Sequence, residues 1–117
     1  MTYTIQKLKE NIQLLKVQGL FNEIENQQIL QEVREGTKDG ANSLIFDLST
    51  LQFMNSVGLN LLIQLRTIAQ SAGGYLSLVN PPDQVISLLE ITKLKSFFRF
   101  NKTMDEAIET LRASEEV

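Results

Sequence analysis

The stretch Phe53-Met54-Asn55-Ser56-Val57-Gly58-Leu59-Asn60 sets a hydroxyl and a glycine between a strand-like apolar run and a longer helix-like one. A second reactive group, Asp47, closes the run Leu44-Ile45-Phe46. Ser56 lacks the means to act as a nucleophile. The chain has no histidine, so a Ser-His-Asp relay is impossible, and Asn55-Ser56-Val57-Gly58 is not the Gly-x-Ser-x-Gly elbow. Neither Gly-x-x-x-x-Gly-Lys nor Gly-x-Gly-x-x-Gly occurs, so no usual phosphate cradle is present.

An aspartate at the end of a central parallel strand is where a receiver domain accepts a phosphoryl group, with Mg²⁺ held nearby by oxygen ligands. The strand ends that should supply those ligands read KVQGLFN and YLSLVNPP, with no acidic pair and no lysine after the later strand. Asp47 is therefore read as a strand-end hydrogen-bonding residue. Without cysteine or histidine there is no disulfide, no thiolate and no usual zinc set, so no cofactor is expected.

Composition narrows the partners. The 117 residues suit one α/β domain spanning 1–117, at 43% hydrophobic and 21% charged. The net charge of −3, from 14 acidic and 11 basic side chains with no basic block, argues against nucleic acid. No run approaches eighteen apolar residues and the start MTYTIQKLKE lacks a signal-peptide core, so no membrane span and a cytoplasmic location are expected.

The elements that must position Ser56 follow from periodicity. A strand is predicted from Tyr3 to Leu8, a turn at Glu10-Asn11, and a second strand through Ile12, Leu14, Leu15 and Val17, closed by Gly19. Ile24, Gln28, Ile29, Leu30 and Val33 suggest a helical stripe ended by Gly36 and Gly40. Leu44-Ile45-Phe46, apolar without alternation, reads as a central strand covered on both faces. A helix then carries Leu59, Leu62, Ile63, Leu65, Ile68 and Ala69, and stops at Gly73-Gly74. YLSLV is a further strand, Asp83 is placed to cap a short helix, and SFFRF reads as an edge strand. Thr103 and Glu106 have capping-box spacing before a helix with Met104, Ala107, Ile108 and Leu111 on one face, and the SEEV tail reads as loose. The order β-β-α-β-α-β-α-β-α predicts a mixed sheet of four to five strands with about four helices against it.

At the junction, Asn55 or Ser56 should be the helix N-cap, and spacing by itself favours the reading that the Ser56 hydroxyl accepts a backbone N–H. A helix N-terminus also offers unpaired N–H groups and partial positive charge, so a phosphate on Ser56 would be accommodated there. Gly58 serves either close packing against the preceding strand or the approach of another protein's backbone. Leu61 and Leu62 read as core, whereas Met54 and Val57 are candidates to lie outward beside Ser56.

The runs LIFDLSTLQFMNSVGLNLLIQL, GGYLSLVNPPDQVISLLEITKL and FFRFNKTMDEAI together resemble the STAS-domain anti-sigma factor antagonists over nearly the whole chain. The resemblance implies partner switching. The unphosphorylated antagonist binds an anti-sigma factor that is also a serine kinase, phosphorylation releases it, and a PP2C-type phosphatase resets it. It places the phosphoacceptor at Ser56, with Asn55 in the preceding acid-or-amide position and Gly58 at the family glycine. Gly19, Phe21 and Asn22 match the Gly-x-Leu/Phe-Asp loop, with Asn22 and Asn55 standing where aspartate is common. The implied docking face comprises Gly19, Leu20, Phe21, Asn22, Met54, Asn55, Val57, Gly58 and Asn60, on a monomer or weak dimer. The competing readings are a constitutive scaffold or signalling subunit, a small-ligand-binding module, and a degenerate receiver using Asp47.

Overall fold

A computed structural model describes residues 2–9 and 11–115. Strands β1 (Thr2–Lys9), β2 (Ile12–Gln18), β3 (Ser43–Asp47), β4 (Leu76–Val79) and β5 (Arg99–Asn101) form one sheet in that spatial order. β1 runs antiparallel to β2, and each later neighbour is parallel. Among the described residues the helices are α1 (Glu23–Lys38), α2 (Ser56–Ser71), α3 (Asp83–Ile91) and α4 (Met104–Glu115), with a short 3₁₀ turn at Lys95–Phe97. The expected alternation is the observed one. Glu10, half of the expected hairpin turn, lies outside the described residues.

All five residues of β3 are buried, as its unbroken apolar run requires of a strand covered on both faces. On one face Leu15, Val17, Leu44, Phe46, Leu76 and Leu78 pack in the cluster that contains Ile29, Leu30 and Val33 of α1, Leu61, Leu62 and Leu65 of α2, and Val85 and Leu89 of α3. On the other, Ile12, Leu14, Ile45 and Val79 meet Ala107 and Leu111 of α4, with Met104 and Ile108 at the margin. Here the period of two in the strands meets the three-and-four period of the helices.

Several expectations are corrected. Gly36 does not end α1 but lies inside it, where a Cβ would run into the Gln13 side chain; Gln13 Nε2 donates to the Val33 carbonyl at 3.2 Å. The helix stops at Lys38, and Gly40 takes the left-handed φ of 102° that follows. Ile24 and Gln28 are exposed, and the buried stripe of α1 is Asn26, Ile29, Leu30 and Val33. Ile63 of α2 is also exposed. Asp83 is the first residue of α3 rather than its cap; Pro82 holds the cap position without a side-chain bond. SFFRF divides between the 3₁₀ turn and β5, and α4 continues through Ser114-Glu115, where a loose tail was expected. The α4 cap is half of the expected box. Thr103 Oγ1 accepts from Glu106 N–H at 3.1 Å, while the Glu106 carboxylate accepts from Asn101 Nδ2 at 3.1 Å and Lys102 N–H at 3.4 Å.

Candidate functional site

Ser56 is the first residue of α2, and Asn55 is the cap. Asn55 has extended backbone (φ −93°, ψ −177°), and its Oδ1 accepts from Gly58 N–H at 2.9 Å. The amide thus takes the capping role that spacing favoured for the serine. Ser56 is exposed and its hydroxyl makes no side-chain hydrogen bond among the described residues. The turn that holds it is capped without it.

Three amide side chains fix that turn. Gln84 of α3 clamps Met54 from both sides, Oε1 accepting from Met54 N–H at 2.8 Å and Nε2 donating to Met54 O at 3.0 Å. Asn55 Nδ2 donates to Phe21 O at 3.3 Å, tying the turn to the loop after β2. Asn26 Nδ2 donates to Val57 O at 3.0 Å, tying it to α1. Asn22 caps α1 in its turn, accepting from Glu25 N–H and donating to the Glu25 carboxylate, both at 2.9 Å.

The inside of the turn is filled by residues expected outside it. Met54 is 1% exposed and Phe21 4%, both within the main core, so neither side chain belongs to an outer face. The cause is Gly58. A Cβ there would sit 2.5 Å from Phe21 Cδ2 and 2.8 Å from Met54 Cγ, so the glycine gives these two side chains their room. Gly58 is buried and serves close packing, against Phe21 and Met54 rather than a strand. Of the other expected docking residues, Leu20 and Asn60 are exposed, Gly19 is exposed with φ 88°, and Asn22, Asn55 and Val57 are half-buried.

Beside the expected Leu20, the surface exposes two apolar residues, Ile24 and Phe53, that stand outside the expected docking set. Ile24 is 75% exposed, Leu20 63% and Phe53 50%. Ile24 lines a cleft of about 560 Å³ between the first turns of α1 and α2, with Glu23, Gln27, Ser56, Val57 and Asn60. Leu20 and Phe53 share a separate hollow of about 380 Å³ with Gln18, Gly19, Thr50 and Gln52. One signal for Ile24 was present in the sequence. Asn26 with Ile29-Leu30 and Val33 keeps the three-and-four spacing, whereas Ile24 stands five residues before Ile29, off the stripe.

The first turn of α2 contains no acidic residue, whereas α1, α3 and α4 begin with Glu23 and Glu25, with Asp83, and with Asp105 and Glu106. The partial positive charge at the start of α2 is therefore unbalanced within its own first turn, the carboxylate in the same cleft being Glu23 of α1. Asp47 has the structural role expected of it. Oδ1 accepts from Ser49 N–H at 2.9 Å, and Oδ2 lies 3.6 Å from Lys16 Nζ. Among the described residues no group of three or more acidic side chains could hold a metal, and no helix is long and apolar enough to cross a membrane.

A mixed sheet covered on both faces, with an exposed hydroxyl at the start of one helix, defines an α/β module, and comparison with known proteins gives it a family. The STAS domain sequence profile matches residues 3–107. The chain belongs to the STAS domain family. A Thermotoga neapolitana protein named "Putative anti-sigma factor antagonist TM1081 homolog" is 27% identical over 108 residues, 91% of this chain and 95% of that protein. The fold is similar to that of the unphosphorylated anti-sigma factor antagonist SpoIIAA, with a TM-score of 0.82 and 20% identity over 96% of this chain and 97% of the other. It is also similar to the phosphorylated form of that Bacillus cell-fate determinant, with a TM-score of 0.76 and 17% identity over 93% and 98%.

Proposed function

We propose that this protein is an anti-sigma factor antagonist of a cytoplasmic partner-switching pathway. The unphosphorylated chain binds an anti-sigma factor with serine kinase activity, phosphorylation of Ser56 by that kinase releases it, and a PP2C-type phosphatase restores it. The observation that carries the reading is the exposed Ser56 hydroxyl at the start of α2, which makes no side-chain hydrogen bond among the described residues and shares a cleft with Ile24 and Val57. The chain is the substrate and the enzyme is the partner.

The physics of release follows from that rim. A phosphoserine adds roughly −1.5 to −2 charge at neutral pH. At the acid-free start of α2 that charge is tolerated by the free domain. In an interface made of Leu20, Ile24 and Phe53 the same charge must be desolvated without a basic partner from this chain, since no lysine or arginine lines either hollow. Phosphorylation would thus weaken the complex without rearranging the fold.

The test is phosphosite mapping of the protein from its own host, with pull-downs by wild type, Ser56→Ala and Ser56→Asp. Phosphate on Ser56, with a kinase of the ATPase fold retained by wild type and Ser56→Ala and lost with Ser56→Asp, is the expected result. An unmodified Ser56, with the same partners held by all three forms, would overturn the switch and leave a constitutive scaffold.

A further inference from the structure

The sheet ends in two unlike edges. β5 is three residues long, whereas β1 runs for eight and has no neighbour on its outer side among the described residues. A long open edge is a template for another strand. Which groups β1 offers follows from the register. Ser43 N–H donates to the Asn11 carbonyl at 3.0 Å, so the odd-numbered residues of β2 turn their backbone groups to β3 and the even-numbered ones to β1. Lys16 lies opposite Thr4 and Leu14 opposite Gln6, so Thr4 and Gln6 are the residues bonded to β2. Tyr3, Ile5 and Lys7 therefore present N–H and C=O to the outside. A bulge between Lys7 and Lys9 ends this regular stretch.

The side chains along the same edge carry opposite charge at its two ends. Tyr3 and Ile5 pack half-buried against the main core, on the face covered by α1, and the Glu32 carboxylate of α1 lies beside the Tyr3 hydroxyl. Lys7 stands opposite Gln13, whose side chain bonds to α1, so the exposed Lys7 side chain is on that face too. The acidic end of the edge is at Tyr3 and the basic end at Lys7.

An antiparallel copy of the strand matches both sets at once. With a twofold axis at Ile5, Ile5 pairs with Ile5 of the second copy and Tyr3 with its Lys7, and each outward N–H and C=O finds a partner. Each Lys7 ammonium then meets Tyr3 and Glu32 of the other copy instead of its own counterpart. Sliding the strands until Lys7 faces Lys7 moves Tyr3 and Ile5 past the regular stretch and opposes two like charges. The lysine that guards the edge against indiscriminate pairing thereby selects one register. We propose that this chain forms a twofold dimer through antiparallel pairing of β1 with β1 of a second copy, so that one sheet runs through both.

Sedimentation equilibrium of the full chain at rising concentration reads the association. Wild type should move from monomer to dimer mass, and the Tyr3, Ile5 and Lys7 amides should gain hydrogen-exchange protection over the same range. Lys7→Glu and Glu32→Lys should each weaken the dimer by about tenfold or more, since attraction at two symmetric contacts becomes repulsion. The Lys7→Glu/Glu32→Lys double variant should recover it. Both side chains are exposed, and that recovery excludes unfolding as the cause. Because the chain has no cysteine, crosslinking reports the register. Thr4 lies opposite Gln6 of the second copy, so the Thr4→Cys/Gln6→Cys double variant should oxidise to a linked dimer, and Gln6→Cys alone should link far less. A chain still monomeric at about 1 mM, where even a weak specific contact associates, would overturn the proposal. A dimer indifferent to both charge reversals, or one linked as readily by Gln6→Cys alone, would overturn it as well. None of these readouts involves Ser56, so the dimer and the switch stand or fall separately.

Discussion

Two helix starts in this molecule are built from similar parts and end in opposite electrostatic states. At α4, Thr103 caps the helix and Asp105 and Glu106 occupy the first turn, with Glu106 bonded to Asn101 and Lys102. At α2, Asn55 caps the helix, but Ser56, Val57 and Gly58 follow and the first turn has no carboxylate of its own. The start of α4 has its counter-charge built in, and the Glu106 carboxylate is bonded to Asn101 at the end of β5. The start of α2 is mechanically complete and electrostatically open. A negative group added there meets a favourable helix end from within the chain and an apolar rim where a partner would dock.

The contrast makes predictions, of which the largest concerns binding. Ser56→Asp should weaken the proposed kinase complex by about two orders of magnitude or more, on the scale reported for uncompensated charges in interfaces, while raising stability by about 0.3–1 kcal/mol. Calorimetric titration and urea denaturation of one sample would give both, and equal binding with unchanged stability would remove the distinction between the two helix starts. Gly58→Ala should destabilise the fold by about 1–3 kcal/mol despite the better helix propensity of alanine, because the new methyl overlaps Phe21 and Met54. A midpoint that rises instead would mean these side chains yield.

Smaller effects separate caps from switch. Asn55→Ala and Thr103→Ala should each cost about 1 kcal/mol in denaturant unfolding. Only Asn55→Ala should also increase hydrogen exchange at Gly58 and in the Phe21 loop, which Asn55 bridges. Ser56→Ala should change stability by less than about 0.5 kcal/mol, since its hydroxyl holds nothing. A loss near that of Asn55→Ala would return the serine to a capping role.

Sequence and structure agree most closely where burial is continuous. Leu44-Ile45-Phe46 could only be a strand covered on both faces, and Met104, Ala107, Ile108 and Leu111 could only be the inner stripe of an amphipathic helix. They part at the margins of elements, where one apolar residue can turn either way. Met54 and Phe21 turned inward because Gly58 left a gap between them, and Ile24 turned outward because Asn26 took the position facing α2. Gln84 gave no sign of its role, since its partner is the backbone of a residue thirty positions away.

The sequence by itself determined the order of strands and helices, the central strand, the helix start at the Asn55-Ser56 junction and the absence of histidine and cysteine chemistry. These follow from local periodicity, turn residues and composition, which a chain carries without folding. Only the tertiary structure decided that Asn55 rather than Ser56 is the cap, that Met54 and Phe21 are core, and that the Glu32 carboxylate lies beside Tyr3. Each of those depends on what packs against the residue from a distant part of the chain, and the space left for it is defined only when the sheet and helices close together.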